Sequence, residues 1–293
     1  MTQFIGVIGY PLKHSVSPDF QQAALDYYKL DIRYEAWEVK AADLSSAINR
    51  LRQPQNLGAN ITVPYKETTL PLIDEVDDFA SLVGAVNTVV SHHGKLLGFN
   101  TDAHGFIKAL RDDANFEPEN KRAVILGAGG AARAVGFALL EEKLSSLIIA
   151  NRTLAKAESL AGLLAKHAAN NKISAEIAAV PWQSSKVTKA VENCQLIVNC
   201  TSLGMRGSSY EEESPLASDL IPKDALVYDL VYNPLETSLL RIAREAGADT
   251  LGGLPMLVYQ GAASFEQWTC REAPLDIMFS IAEQTLLKTG GEV

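Results

Sequence analysis

Apolar and polar positions along this chain change period many times, and each change predicts an element. Residues 4–9, Phe-Ile-Gly-Val-Ile-Gly, form an apolar run of strand length. Residues 18–28 repeat apolar positions at helical spacing, and 34–39 alternate sides as a strand does. A helix follows over 44–51, then a short buried strand over 58–63. Residues 86–90 and 95–99 read as two strands turned into a hairpin by His92-His93-Gly94. Strands alternating with helices predict an α/β domain with a mainly parallel sheet.

The second half repeats the alternation with greater regularity. Strands are expected near 122–126, 146–150, 175–179, 195–200, 225–229 and 248–251. Helices fall between them, most clearly over 154–169 and 236–246, with Gly247 placed to close the latter. Two further amphipathic helices, 256–267 and 275–287, come after the last strand and are expected to return to the first domain.

The turn between the first of these strands and its helix carries chemistry. Arg122-Ala-Val-Ile-Leu126 runs into Gly127-Ala-Gly-Gly-Ala-Ala-Arg133, and Gly127, Gly129 and Ala132 satisfy the dinucleotide fingerprint in its proper strand and helix context. The first glycine permits the tight turn, the second lets backbone approach a diphosphate, and the small third residue packs helix on strand. The helix amino end then faces the anion. The next strand ends at Asn151-Arg152-Thr153, with Lys156 one turn on, where an NAD site would carry Asp or Glu. Cations there suit a 2′-phosphate, so the expected cofactor is NADP. The fold class follows: α/β, with residues 1–103 and 253–293 forming a substrate-binding domain and 104–252 a Rossmann-like doubly wound NADP domain. The active cleft is expected between them.

Composition narrows the class. The 293 residues leave room for two domains, and 26 Lys and Arg against 35 Asp and Glu give a net charge of −9. No nucleic-acid partner is expected, because a phosphate groove needs a basic face. No apolar run approaches the ~18 residues that suggest a membrane helix. The amino terminus reads as a strand rather than a signal peptide. Cys194, Cys200 and Cys270 are odd in number and lack metal spacing, which predicts buried thiols and a cytoplasmic protein. The five histidines include no zinc-type helix pair, so no metal site is expected, and His92-His93 is expected to be solvated.

Three clusters in the first half could supply a reaction. In His14-Ser15-Val16-Ser17-Pro18, Ser17 before Pro18 fits a helix N-cap, and the two hydroxyls could equally hold a carboxylate. In Asn60-Ile-Thr-Val-Pro-Tyr-Lys66, Asn60 and Thr62 share a strand face and Lys66 opens a helix, where the dipole disfavours a cation. Lys66 is either solvated or held there for chemistry. In Gly98-Phe-Asn-Thr-Asp102, the aspartate could cap the helix over 103–111 or pair with Lys66 as an acid–base dyad.

These motifs occur in order with Gly84-Ala-Val-Asn-Thr88, Asn199-Cys-Thr-Ser-Leu-Gly-Met205 and Gly253-Leu-Pro-Met-Leu-Val-Tyr-Gln260. Together they resemble the shikimate dehydrogenase family over essentially the whole chain, with mild departures at Cys200 and Pro255. The resemblance implies that Lys66 and Asp102 are the catalytic pair. It implies that Ser15 and Ser17 grip the substrate carboxylate, and that Thr62, Asn87, Tyr232 and Gln260 hold ring hydroxyls. For the cofactor it implies Gly127, Ala128, Gly129, Gly130 and Ala131 at the diphosphate and Asn151, Arg152, Thr153 and Lys156 around the adenosine phosphate. Thr201, Leu230 and Gly253 are implied nearer the nicotinamide. Asp78 matches a position sometimes grouped with the cofactor, against the plainer reading of a solvated helix acid.

The implied reaction is reversible reduction of 3-dehydroshikimate to shikimate by NADPH, in the route to chorismate and aromatic amino acids. One alternative is a quinate/shikimate dehydrogenase using NAD or NADP. An alternative of another class is a catalytically silent NADP-sensing regulator, which would not need the Lys66–Asp102 pair. Short-chain dehydrogenase chemistry is disfavoured because no Tyr has a Lys four residues later. The expected assembly is a monomer or homodimer.

Overall fold

The computed structural model describes residues 2–13, 15–182 and 184–290. The chain divides into two compact units, Met1–Gly105 with Val258–Val293, and Phe106–Leu257.

The first unit opens with β1 (Gln3–Gly9), α1 (Ser17–Tyr27), β2 (Ile32–Glu38), α2 (Leu44–Arg50) and β3 (Asn56–Ile61). It continues through α3 (Lys66–Thr69), β4 (Glu75–Val76), α4 (Asp78–Val83), β5 (Thr88–His92), β6 (Lys95–Phe99) and the start of α5 (Asp102–Asp112). Its sheet runs β2-β1-β3-β5-β6-β4. The β1–β2, β1–β3 and β4–β6 pairings are parallel, whereas β5 runs antiparallel to both β3 and β6. A hairpin is thus inserted in a sheet expected to be mainly parallel, because the two residues His93-Gly94 reverse the chain with positive φ at both positions. Ile8, Ile48, Ile61, Val86, Val89 and Leu96 form the core on one face.

Strand β3 stops earlier than the expected residue 63. Thr62 still donates its N–H to Ile8 O, but Pro64 has no N–H to extend the ladder, and Val63 is 71% exposed. The two-residue β4 was not anticipated from the sequence, since it is too short to establish a period.

The second unit continues α5 into β7 (Arg122–Leu126), α6 (Gly130–Glu141), β8 (Ser146–Asn151), α7 (Leu154–Asn171) and β9 (Glu176–Pro181). Then come α8 (Ser185–Glu192), β10 (Leu196–Asn199), β11 (Leu226–Asp229), α9 (Ser238–Glu245) and β12 (Asp249–Leu251). The sheet order is β12-β11-β10-β7-β8-β9, parallel throughout. This is the doubly wound arrangement, and β7 and β10 flank the point where the winding reverses. Gly247 follows α9 with φ +85°, the left-handed conformation that closes a helix without a Cβ clash.

Helices α10 (Leu254–Thr269) and α11 (Leu275–Gly290) end the chain. From Val258 onward they belong to the first unit, where Gln21 Nε2 donates to Gly261 O at 2.8 Å and Trp268 Nε1 to Val89 O at 2.9 Å. Among the described residues no helix is long and apolar enough to cross a membrane. The three cysteines are unpaired. Cys194 is buried, but Cys270 is exposed, contrary to the expected buried thiols, because it falls just past the end of α10 with φ +52°. His92 and His93 are exposed, as the hairpin turn requires.

Candidate active site

In the first unit, β1 lies between β2 and β3, so the chain leaves β1 and β3 toward different neighbours at one edge of the sheet. Such a switch point opens a crevice beyond the carboxyl ends of the strands. Ser15 and Ser17 follow β1, and Thr62 and Lys66 follow β3. Asn87 immediately precedes the antiparallel β5, and Asp102 follows β6, so both arrive at the same edge.

Lys66 Nζ donates to Asp102 Oδ2 at 2.7 Å, while Asn87 Nδ2 donates to Oδ1 at 2.8 Å. Both carboxylate oxygens therefore have a donor, which a carboxylate 4% exposed requires. Asp102 opens α5, but its carboxylate is turned to Lys66 and Asn87, so the dyad reading rather than the capping one describes it. Asn100 holds the turn, accepting from Asp102 N at 3.1 Å and donating to Ala85 O at 2.9 Å. The Lys66 side chain is 22% exposed against 5% for Asp102, so the ammonium is the member of the pair open to a reactant. Lys66 occupies the first turn of α3, and Asp102 offsets the unfavourable dipole there.

Gln260, on α10, joins this group: its Oε1 accepts from Asn87 Nδ2 at 3.3 Å. Ser17 is the first residue of α1 and Val16 the N-cap, which makes no side-chain bond, so Ser17 is not a capping residue. Neither the Ser15 nor the Ser17 hydroxyl bonds to another described residue, and both remain available to a ligand. His14 lies outside the described residues. Asp78 is exposed in the first turn of α4, whose cap is its neighbour Asp77, accepting from Ala80 N at 2.6 Å. Tyr232 belongs to the second unit, where it follows β11.

The turns of the second unit have the features a dinucleotide needs. Gly127 has φ +112°, and a Cβ there would meet Cys200 O at 3.1 Å, so the turns after β7 and β10 approach closely at their switch point. A Cβ on Gly129 or Gly130 would meet nothing within 4 Å. Gly129 caps α6 without a side chain, which leaves the N–H groups of the first turn open to an anion. At the end of β8, Asn151 Nδ2 donates to Thr153 O at 2.9 Å and shapes the turn. Arg152 and Lys156 are exposed there, and neither forms an ion pair with a described residue. Backbone donors for a diphosphate and free cations for a 2′-phosphate fit NADP.

A further cluster, missed at the level of sequence, binds the turns after β10 and β11 together. Asp229, fully buried at the end of β11, accepts from Thr237 Oγ1 at 2.6 Å, Asn199 Nδ2 at 2.9 Å and Val231 N at 3.0 Å. Burial pushes its carboxyl up to about 6. Asn199 Oδ1 in turn accepts from Thr201 N and Oγ1, and Leu230 N donates to Asn199 O. Leu230 O lies 2.3 Å from where a Cβ on Gly253 would stand, so only glycine fits. Thr201, Leu230 and Gly253 are thus tied together. The available signal was a polar residue closing each of two apolar strands, Asn199 and Asp229.

A doubly wound unit fitted to NADP and an α/β unit carrying a lysine–aspartate pair define a nicotinamide-dependent oxidoreductase. Comparison with known proteins makes this specific. Residues 7–89 match the model of the shikimate dehydrogenase substrate binding domain, 111–219 that of shikimate / quinate 5-dehydrogenase, and 253–278 that of the shikimate 5′-dehydrogenase C-terminal domain. Shikimate dehydrogenase (NADP(+)) of Moorella thermoacetica is 43% identical over 290 residues, covering 99% of this chain and 96% of its own. A crystal structure of a shikimate dehydrogenase in complex with NADP+ superposes with a TM-score of 0.90 at 37% identity, covering 97% and 96% of the two chains. Shikimate 5-dehydrogenase of Thermus thermophilus, in complex with NADP(H) and shikimate, gives 0.85 at 36% identity, covering 97% and 100%. The chain belongs to the shikimate dehydrogenase family.

Proposed function

We propose that this chain catalyses the reversible NADPH-dependent reduction of 3-dehydroshikimate to shikimate, with Lys66 and Asp102 managing the proton. The observation that carries this reading is the Lys66–Asp102 contact of 2.7 Å, with the ammonium on the open side and Asn87 on the second carboxylate oxygen. The cofactor, when bound, supplies or accepts the hydride. Lys66 gives a proton to the oxygen of the carbonyl being reduced and reclaims it in the oxidation direction. Asp102 holds the ammonium in place and accepts from a ring hydroxyl. The Ser15 and Ser17 hydroxyls donate to the substrate carboxylate, and Thr62, Asn87, Gln260 and Tyr232 hold the remaining hydroxyls.

Residues Gly127 to Ala131 would hold the diphosphate, with Asn151, Arg152, Thr153 and Lys156 at the adenosine phosphate. Thr201, Leu230 and Gly253 would hold the nicotinamide ribose, with Asp78 contributing from the first unit. Three unpaired cysteines support a reducing, cytoplasmic setting, and the working form is a monomer or homodimer.

The test is a spectrophotometric assay of NADP reduction with shikimate, with quinate and NAD as controls. Strong turnover with shikimate and NADP is expected. Absence of turnover, or a preference for quinate with NAD, would overturn the assignment. The intact Lys66–Asp102 pair argues against a silent NADP sensor, which has no use for it.

A further inference from the structure

Behind the Lys66–Asp102 pair lies a chain of buried polar side chains that the reaction does not itself require. Thr88 and Ser264 are fully buried, Asn87 is 1% exposed and Asn60 7%. Backbone geometry decides which way the Asn87 amide faces. Thr101 N–H can only donate, and it does so to Asn87 Oδ1 at 2.8 Å, so the amide NH2 must face Asp102. Thr88 Oγ1 donates to the same Oδ1 at 3.0 Å. Ser264 Oγ lies 2.7 Å from Thr88 Oγ1, Asn60 Nδ2 donates to Ser264 Oγ at 3.0 Å, and the Tyr34 hydroxyl donates to Asn60 Oδ1 at 2.8 Å.

Each hydroxyl has one hydrogen, and Ser264 has two acceptors for its own, Thr88 Oγ1 at 2.7 Å and Gln260 O at 3.0 Å; the chain is unbroken when Ser264 donates to the nearer one. Tyr34 donates to Asn60, Asn60 to Ser264, Ser264 to Thr88, Thr88 to Asn87, and Asn87 to Asp102. The other Asn87 hydrogen goes to Thr101 Oγ1 at 2.9 Å, whose own hydrogen goes to Gln260 O at 3.0 Å. Burial raises the Tyr34 phenol far above its usual range, so the head of the chain stays a donor.

We propose that the Thr88 and Ser264 hydroxyls are positioning groups for the catalytic pair, acting through the Asn87 amide, an inference that rests on the roles given above to Lys66 and Asp102. The Thr88 hydroxyl, held by Ser264, fills the second acceptor site on Asn87 Oδ1 and stops the amide from rocking. The amide then holds Asp102 Oδ1, which sets where Oδ2 presents the Lys66 ammonium. Behind Asn87, Thr101 and Asp102, which lie in the turns before β5 and at the start of α5, the chain is drawn from β5, β3, β2 and α10, so the sheet and the returning helix together fix the position of the proton donor.

The test compares Thr88→Val, which keeps the shape and removes the hydroxyl, with Thr88→Ser, which keeps the hydroxyl. Ser264→Ala serves as an independent variant should Thr88→Val fold poorly by circular dichroism. Thr88→Val and Ser264→Ala are expected to lower kcat about tenfold with KM for NADP unchanged, while Thr88→Ser stays within about twofold of the parent. In 15N-labelled protein without ligands, the Asn87 side-chain amide should exchange its hydrogens faster in Thr88→Val.

A parent-like kcat and amide exchange in Thr88→Val would overturn the inference. So would equal impairment of Thr88→Val and Thr88→Ser, which would assign the effect to packing. Failure of the parent protein to oxidise shikimate would instead refute the proposed reaction, and the amide exchange would still decide whether the hydroxyls hold Asn87.

Discussion

The Lys66 ammonium is partly exposed, while its partner Asp102 is nearly shut away from water. In the proposed reaction this asymmetry divides the labour: the carboxylate orients, and the amine meets the reactant. Lys66→Ala should lower kcat by roughly 10²–10⁴-fold, the usual worth of general acid–base catalysis, with a smaller change in substrate KM. Lys66→Arg should not restore turnover, because a guanidinium does not release its proton in the working range; steady-state kinetics on both variants would check this. At the end of β8, Arg152 is exposed and has no carboxylate partner among the described residues. Arg152→Ala should weaken NADP binding by about tenfold or more while leaving NAD nearly unchanged, as titration by calorimetry would reveal. Equal losses would argue against a 2′-phosphate role. The identity of these residues was legible in local motifs. Whether Asp102 caps a helix or pairs with Lys66 was not, because 36 positions separate the partners and only the fold closes that distance.

Among the secondary-structure elements, the strand–turn–helix unit β7–α6 carries the most information per residue. Gly127 sits at φ +112° with its missing Cβ directed at Cys200 O, so Gly127→Ala combines backbone strain with a clash against main chain. A loss of about 1–3 kcal/mol is expected, together with weaker NADP binding as the turn shifts from the amino end of α6. Chemical denaturation and a binding titration would measure both. The period of apolar positions announced these elements correctly, including the hairpin strand Lys95–Phe99 and the helix starting at Leu154. It failed at β3, where an apolar Val63 resembled a continuing strand but the following proline ended the ladder. It also missed β4, since two residues cannot express a period.

For the molecule as a whole, the buried Asp229 makes stability depend on pH. Its carboxyl is raised to about 6 from an ordinary value near 3.8. Between these values the folded state holds a proton that the unfolded chain releases. The contribution is therefore complete below about pH 4 and is lost as pH rises through about 6, a change on the order of 3 kcal/mol. Asp229→Asn should flatten this part of the profile relative to the parent protein, as paired denaturation curves at about pH 4.5 and 7 would measure. A parallel profile in the variant would mean that another group controls the slope. The same carboxyl ties the turns after β10 and β11 together, so stability and the shape of these turns share one residue.

By itself the sequence determined the alternation of strands and helices, the dinucleotide turn with its basic tip, and the residue types able to manage a proton. Those properties reside in short stretches, where period, turn chemistry and side-chain type act over a few neighbours. The tertiary structure decided that Lys66, Asn87 and Asp102 meet at one sheet edge, that Ser17 does not cap its helix, and that Asn199 and Asp229 bind two turns together. Each depends on strand order and on hydrogen bonds between segments far apart in the chain, which become definite only once the sheets have formed.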